Sequence, residues 1–162
     1  MIDKELIMKN QYELIKAKTC KLEEILGNIF QLCGASIIIH SEHKVLLQKR
    51  TDNNCWGYHG GAIEVGEIVE DAAKRELFEE TGLIANNIEL YGVFSGPEQY
   101  HVYPDGNEVH IIDIVYLCDD FSGEIKKQLS EVSELKWFDF NDLPRELSPP
   151  IKPILHKFCS ER

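Results

Sequence analysis

Between residues 61 and 83 the chain reads GAIEVGEIVEDAAKRELFEETGL, in which Val69, Ala72, Ala73 and Leu77 recur with helical spacing and Gly82 supplies a stop. A helix with such a stripe needs a surface to cover, and both flanks provide one. Upstream, GASIIIHSEHKVLLQKR reads as two β-rich runs around a polar turn at Ser41–His43, a hairpin signal. Downstream, IELYGVFSG, NEVHIIDIVYLCDD and ELKWFDF read as strands, and DLPRELSPPIKPILHKFCS as a turn region with a short last helix. Strands on both sides of a central helix predict an α/β fold, a mixed β-sheet with helices on its faces. TDNNCWGYHGG reads as a loop by its Asn and Gly content. At 162 residues the chain suits one domain rather than two. Tyr12, Ile15, Leu22, Ile25 and Leu26 repeat with helical spacing up to Gly27-Asn28, which predicts an N-terminal helical extension over 1–33 ahead of a domain over 34–162. That extension needs cover from the domain's flank or from a second copy, and a homodimer is the expectation.

The formal net charge of −11 argues against nucleic-acid and anionic-membrane partners, which call for clustered Lys and Arg. It leaves room for a small phosphorylated ligand, because a bound cation inverts the local charge. No apolar run has the length of a membrane span, and MIDKELIMKNQYELIKAK lacks an apolar signal core, so a cytoplasmic location is expected. Cys20, Cys33, Cys55, Cys118 and Cys159 are scattered, odd in number and without a C-x-x-C pair, which reads as free thiols rather than a zinc site.

The helical stretch is also acidic: seven carboxylates stand against Lys74 and Arg75 alone. Glu76, Glu79 and Glu80, at i, i+3 and i+4, share one helical face, expected to lie opposite Val69, Ala73 and Leu77. Like charges at that spacing cost helix stability, so something should neutralise them. Oxygen-only ligands suit a hard cation, Mg²⁺ with Mn²⁺ as substitute, and Mg²⁺ commonly bridges carboxylates to substrate phosphates. A solvated acidic face is the ordinary meaning of a charge run, but the flanking residues decide otherwise. Gly61, Glu67, Arg75, Glu76, Leu77, Glu79, Glu80, Gly82 and Leu83 fit G-x5-E-x7-R-E-U-x-E-E-x-G-U, with U a bulky apolar residue. From average residue usage a chance match is on the order of one in ten million. The pattern resembles the signature box of the Nudix hydrolases.

The resemblance extends from about Gly34 to Ile154: VLLQKRTDNNCWGYHGG is similar to the family's lead-in, and ELKWFDFNDLP to its last strand and turn. It implies an α/β/α sandwich and a metal-dependent enzyme that cleaves a nucleoside diphosphate linked to another group X, a small nucleotide substrate. Glu76, Glu79 and Glu80 would take the metal. Arg75 would orient the acids through Glu79, Asp71 or Glu67, and Glu67 suits the helix start. Glu76, Glu79, Arg75 and Glu67 form the expected catalytic set, while the general base does not transfer from the family. Glu131 is the first choice for a fourth metal carboxylate and Glu98 the second. Arg50, Tyr58, His59, Gly61, Glu98 and Tyr100 are the expected substrate-binding residues. Arg50 would reach a phosphate, and Tyr58, Tyr100 and Tyr103 would offer flat rings to a base. His59 stands where many relatives carry Pro, immediately before Gly60-Gly61, and is expected at the pocket's edge. His40 and His43 are assigned to a turn, Asp105-Gly106 to a hairpin turn, and Trp56 and Trp137 to packing. Pro97 points toward ADP-ribose as substrate and Tyr100 toward dinucleoside polyphosphates; nucleoside triphosphates are a further option. The competing reading from another class is a non-catalytic nucleotide sensor with the same fold.

Overall fold

Ser41 and Lys44 pair across a two-residue turn in which Glu42 takes φ 54°, the left-handed conformation that lets a tight hairpin close. This turn joins β1 (Ile29–Ser41) to β2 (Lys44–Arg50) as the sequence predicts. The computed structural model describes residues 29–102, 108–126 and 131–162. The expected N-terminal helices, Cys20, Tyr103 and Asp105-Gly106 lie outside the described residues. β1 begins at Ile29, so the boundary expected between residues 33 and 34 falls inside a strand.

Long β-branched runs form the centre of the sheet. β1 pairs in parallel with β8 (Glu108–Cys118) from Ile29↔Glu108 to Ile39↔Cys118. The main sheet runs β10 (Val132–Asp139), β2, β1, β8, β6 (Glu89–Phe94), with both parallel and antiparallel neighbours. Three short strands pair off this path: β3 (Trp56–Gly57) on β2, β4 (His59–Ala62) on β1 and β7 (Tyr100–Val102) on β8. β5 (Ile84–Ala85) and β9 (Phe121–Ser122) form a separate pair. The stretch expected to be a loop before the box is therefore partly strand. Its pairing is made by backbone alone at Gly60 and Gly61, which carry no strand-forming side chain.

Period-two alternation in β1 builds two cores. Ala35, Ile37 and Ile39 pack with Ala72, Ala73 and Leu77 of α1 (Val69–Thr81). Ile38 packs with Ile154, Leu155 and Phe158 of α2 (Lys152–Ser160). The result is the expected α/β/α sandwich. α1 ends at Gly82, whose φ of 73° allows its N–H to reach the Phe78 carbonyl at 2.8 Å. Trp56 lies in the α2-side core with its ring 4.8 Å from Phe138, and Trp137 stacks on Phe121, so both tryptophans are packing residues. His40 is a buried β1 residue against the Phe158 ring rather than part of the turn. No helix among the described residues is long and apolar enough to cross a membrane.

Candidate active site

Helical periodicity places Glu80 two turns after Ala73 and one after Leu77, on the packed side of α1 rather than opposite it. Its side chain is 5% exposed. Each oxygen has a donor: Gln48 Nε2–H bonds Oε1 at 2.6 Å, and the Gly60 N–H bonds Oε2 at 3.1 Å. His59 Nδ1 lies 3.4 Å from the same Oε2. The His59 ring is fully buried and does not line the cavity, which corrects its expected position at the pocket's edge. The reason is strand parity: at β4 it alternates with Gly60 and turns inward, behind Glu80.

Arg75 holds the other acids. Its guanidinium grips Glu67 with Nε–H at 2.8 Å and Nη2–H at 3.0 Å, reaches Glu76 Oε1 at 2.8 Å and Glu79 Oε2 at 3.1 Å, and also bonds the Ala62 carbonyl at 3.2 Å. Of the partners weighed from sequence, Glu67 and Glu79 are engaged, while Asp71 is exposed on the first turn. This planar fork replaces the like-charge repulsion of the acid run with attraction. Arg75 and the Glu64 N–H hold the Glu67 carboxyl at about 2, and its neighbours push the Arg75 guanidinium up. Burial pushes Glu76 up despite the adjoining Arg75. The Glu76 carboxyl closes against the backbone of Gly61, where any Cβ would collide with it. Gly61 thus earns its place by close approach.

A cavity of about 340 Å³ opens beside these acids. Glu76, Glu80, Glu131, Arg50, Tyr58 and Gly61 border it. Arg50 meets it already paired with Asp52, through bonds of 2.9 and 2.8 Å. Glu98 and Tyr100 do not line it. The Tyr100 hydroxyl bonds Glu108 at 2.7 Å and its ring rests on His110, while Gln99 and His101 on either side face the cavity. Alternation along β7 accounts for Tyr100 against His101, while Gln99 ends the 3-10 turn Pro97–Gln99 ahead of the strand. Tyr58 offers no flat face: it is 3% exposed, and its hydroxyl donates to Asp113 Oδ2 at 2.8 Å. Glu67 and Glu79 do not line the cavity; both are tied to Arg75, and Glu79 is exposed.

Sequence reasoning missed Gln48, Ser36 and Asp113. Their one signal is a polar residue inside an apolar strand, in VLLQK, ASIII and IIDIV. Asp113 is buried, accepts from Ser36 Oγ–H at 2.7 Å and from Tyr58, and burial raises its carboxyl above the usual range. Ser36 and Asp113 share the sheet face that carries Ile38 and Val115, toward α2. Glu76 and Glu80 reach the cavity from α1, so residues from both faces of the sheet border it.

The NUDIX domain pattern matches residues 32–158. The chain belongs to the Nudix family. It is 41% identical over 111 residues to an ADP-ribose pyrophosphatase of Methanocaldococcus jannaschii, covering 67% of this chain and 62% of that protein. It is 33% identical over 132 residues to an NAD-capped RNA hydrolase NudC of Haemophilus influenzae, covering 78% of this chain and 46% of that one. The chain thus spans less than two thirds of the length of these two relatives. Among solved structures, a MutT NUDIX hydrolase from Burkholderia pseudomallei superposes with a TM-score of 0.68 at 30% identity, covering 78% of this chain and 97% of that one.

Nudix hydrolases generally need a divalent metal, and the donor set here fits one. Every candidate ligand is a carboxylate oxygen, and Glu76, Glu80 and Glu131 all border the cavity. Among the described residues no three His, Cys, Asp or Glu side chains converge as a ready-made cage. A hard divalent cation commonly keeps waters and substrate phosphates in its shell, so these carboxylates would supply only part of one.

Proposed function

We propose that this Nudix chain hydrolyses the diphosphate linkage of a nucleoside diphosphate joined to a second group, with Mg²⁺ or Mn²⁺ as cofactor. The observation that carries the reading is the Arg75-ordered acid group beside a cavity bordered by residues from both faces of the sheet. Glu76, Glu80 and Glu131 would hold the cation, with Glu79 close by on Arg75. When bound, the cation supplies counter-charge to the diphosphate and makes a water more acidic. In the reaction a water oxygen bonds to one phosphorus, the bridging P–O bond breaks, and the water's proton passes to a carboxylate. Gln48 and the Gly60 N–H keep Glu80 in one orientation, and Arg75 does the same for Glu76, so little reorganisation is left for the reaction.

ADP-ribose is the first substrate to test, given the 41% identical relative named for that activity. The protein incubated with Mg²⁺ and ADP-ribose should release AMP and ribose 5-phosphate. A panel with NAD, a dinucleoside polyphosphate and nucleoside triphosphates ranks the second group. Nucleotide binding without turnover of any panel member, with Mg²⁺ or Mn²⁺, would make the protein a sensor instead.

A further inference from the structure

The cavity's inner part has a chemistry that diphosphate cleavage does not require. Asp113 sits in β8 among apolar neighbours, in IIDIV, where a hydrophobic residue would complete the strand at lower cost. Among the described residues its partners are two neutral hydroxyls, Ser36 Oγ–H on Oδ1 at 2.7 Å and Tyr58 O–H on Oδ2 at 2.8 Å. A carboxylate offers roughly four acceptor sites, so about two remain. The two hydroxyl protons donated to Asp113 favour its ionised form against the cost of burial, and with the carboxyl ionised all three groups present only acceptors to a ligand. Gly34 leaves the approach open: a Cβ there would rest 3.6 Å from Asp113 Oδ1. Leu32, Ile111 and Ile151 supply apolar walls for a flat ring.

We propose that Asp113 reads the nucleobase, accepting a hydrogen bond from an exocyclic amino group, so that the cavity selects adenine over its oxo counterpart hypoxanthine. This rests on the nucleotide reading above. Glu76 and Glu80 border the cavity from α1, and Asp113 borders it from the sheet face toward α2, so a nucleotide would meet them with different parts. An oxo group at the ring position of the amino group would point an acceptor at acceptors. A buried polar site rejects such a partner far more strongly than an apolar pocket rejects a change of size.

The test is equilibrium binding of AMP and IMP to the full chain by calorimetry, without metal. The wild type should bind AMP at least about 30-fold more tightly than IMP. Asp113→Asn offers one donor and one acceptor and should bring the two affinities to within about threefold. Equal wild-type affinity for AMP and IMP overturns the proposal, even if Asp113→Asn fails to fold. An unchanged ratio in a folded Asp113→Asn overturns it as well. Tyr58→Phe keeps the carboxylate and should keep the preference for AMP; loss of that preference in a folded Tyr58→Phe would move the selection from Asp113 to the tyrosine. Turnover separates this proposal from the one before it. Equal kcat/KM for ADP-ribose and its hypoxanthine analogue would leave the hydrolase standing and remove the base reader. AMP selectivity without hydrolysis would do the reverse.

Discussion

Arg75 touches three carboxylates and a backbone carbonyl, and no other side chain could do so. A lysine keeps the charge but not the fork. Arg75→Lys should lower kcat by about 100-fold and stability by about 1–2 kcal/mol, read by steady-state kinetics and denaturant unfolding. The Glu67 carboxyl, lowered to about 2 from an ordinary 4.5, has a definite pH signature. Its contribution is full above the ordinary value and lost as pH falls toward 2. The stability gap between wild type and Glu67→Gln should therefore close over that window in thermal melts. Asp113 works with the opposite sign: its raised carboxyl favours the folded state at low pH and weakens it as pH rises. Asp113→Asn should gain stability relative to wild type as pH climbs from acid to neutral. At this scale the box acids are legible from sequence because their spacing is a helical signature. The burial of Glu80 follows equally from its spacing to Ala73 and Leu77. What hides it is the habit of treating acids as solvent-facing, which Gln48 and the Gly60 N–H overrule.

Between elements, the closest approach is that of α1 to β4. Gly61→Ala would drive a methyl group into the Glu76 carboxyl, displacing it while leaving the strand's backbone pairing intact. The expected result is a loss of kcat of about 100-fold or more with a small change in melting temperature. Unchanged kcat would show that Glu76 does not need its observed position. Strands β1, β2, β6, β8 and β10 are legible because β-branched and aromatic residues alternate along them. β3 and β4 are not, since Gly57, Gly60 and Gly61 are pairing through backbone groups that leave no pattern. The short β5–β9 pair escapes for another reason: its register depends on α1 and β8 ending close together.

For the whole molecule, the sandwich joins two layers of different character through one cavity: carboxylates on α1's side and an acceptor-lined recess on the side of α2. The α/β class is legible from the order of the elements, whereas the recess depends on long-range register, Gly34 beside both Asp113 and Ala62. Since Glu76, Glu80 and Glu131 border the cavity proposed to hold the nucleotide, the cation and the nucleotide should complete each other's site. A non-hydrolysable ADP analogue should thus raise the affinity for Mn²⁺, followed by its paramagnetic resonance signal. Turnover is the central matter, and one comparison addresses it most directly: ADP-ribose hydrolysis at saturating Mg²⁺ by wild type, Glu76→Gln and Glu80→Gln, alongside ADP-ribose binding by each. Both variants should lose about 1,000-fold or more in kcat while each still binds the nucleotide. Wild-type turnover in both variants would mean that Glu76 and Glu80 do not hold the cation.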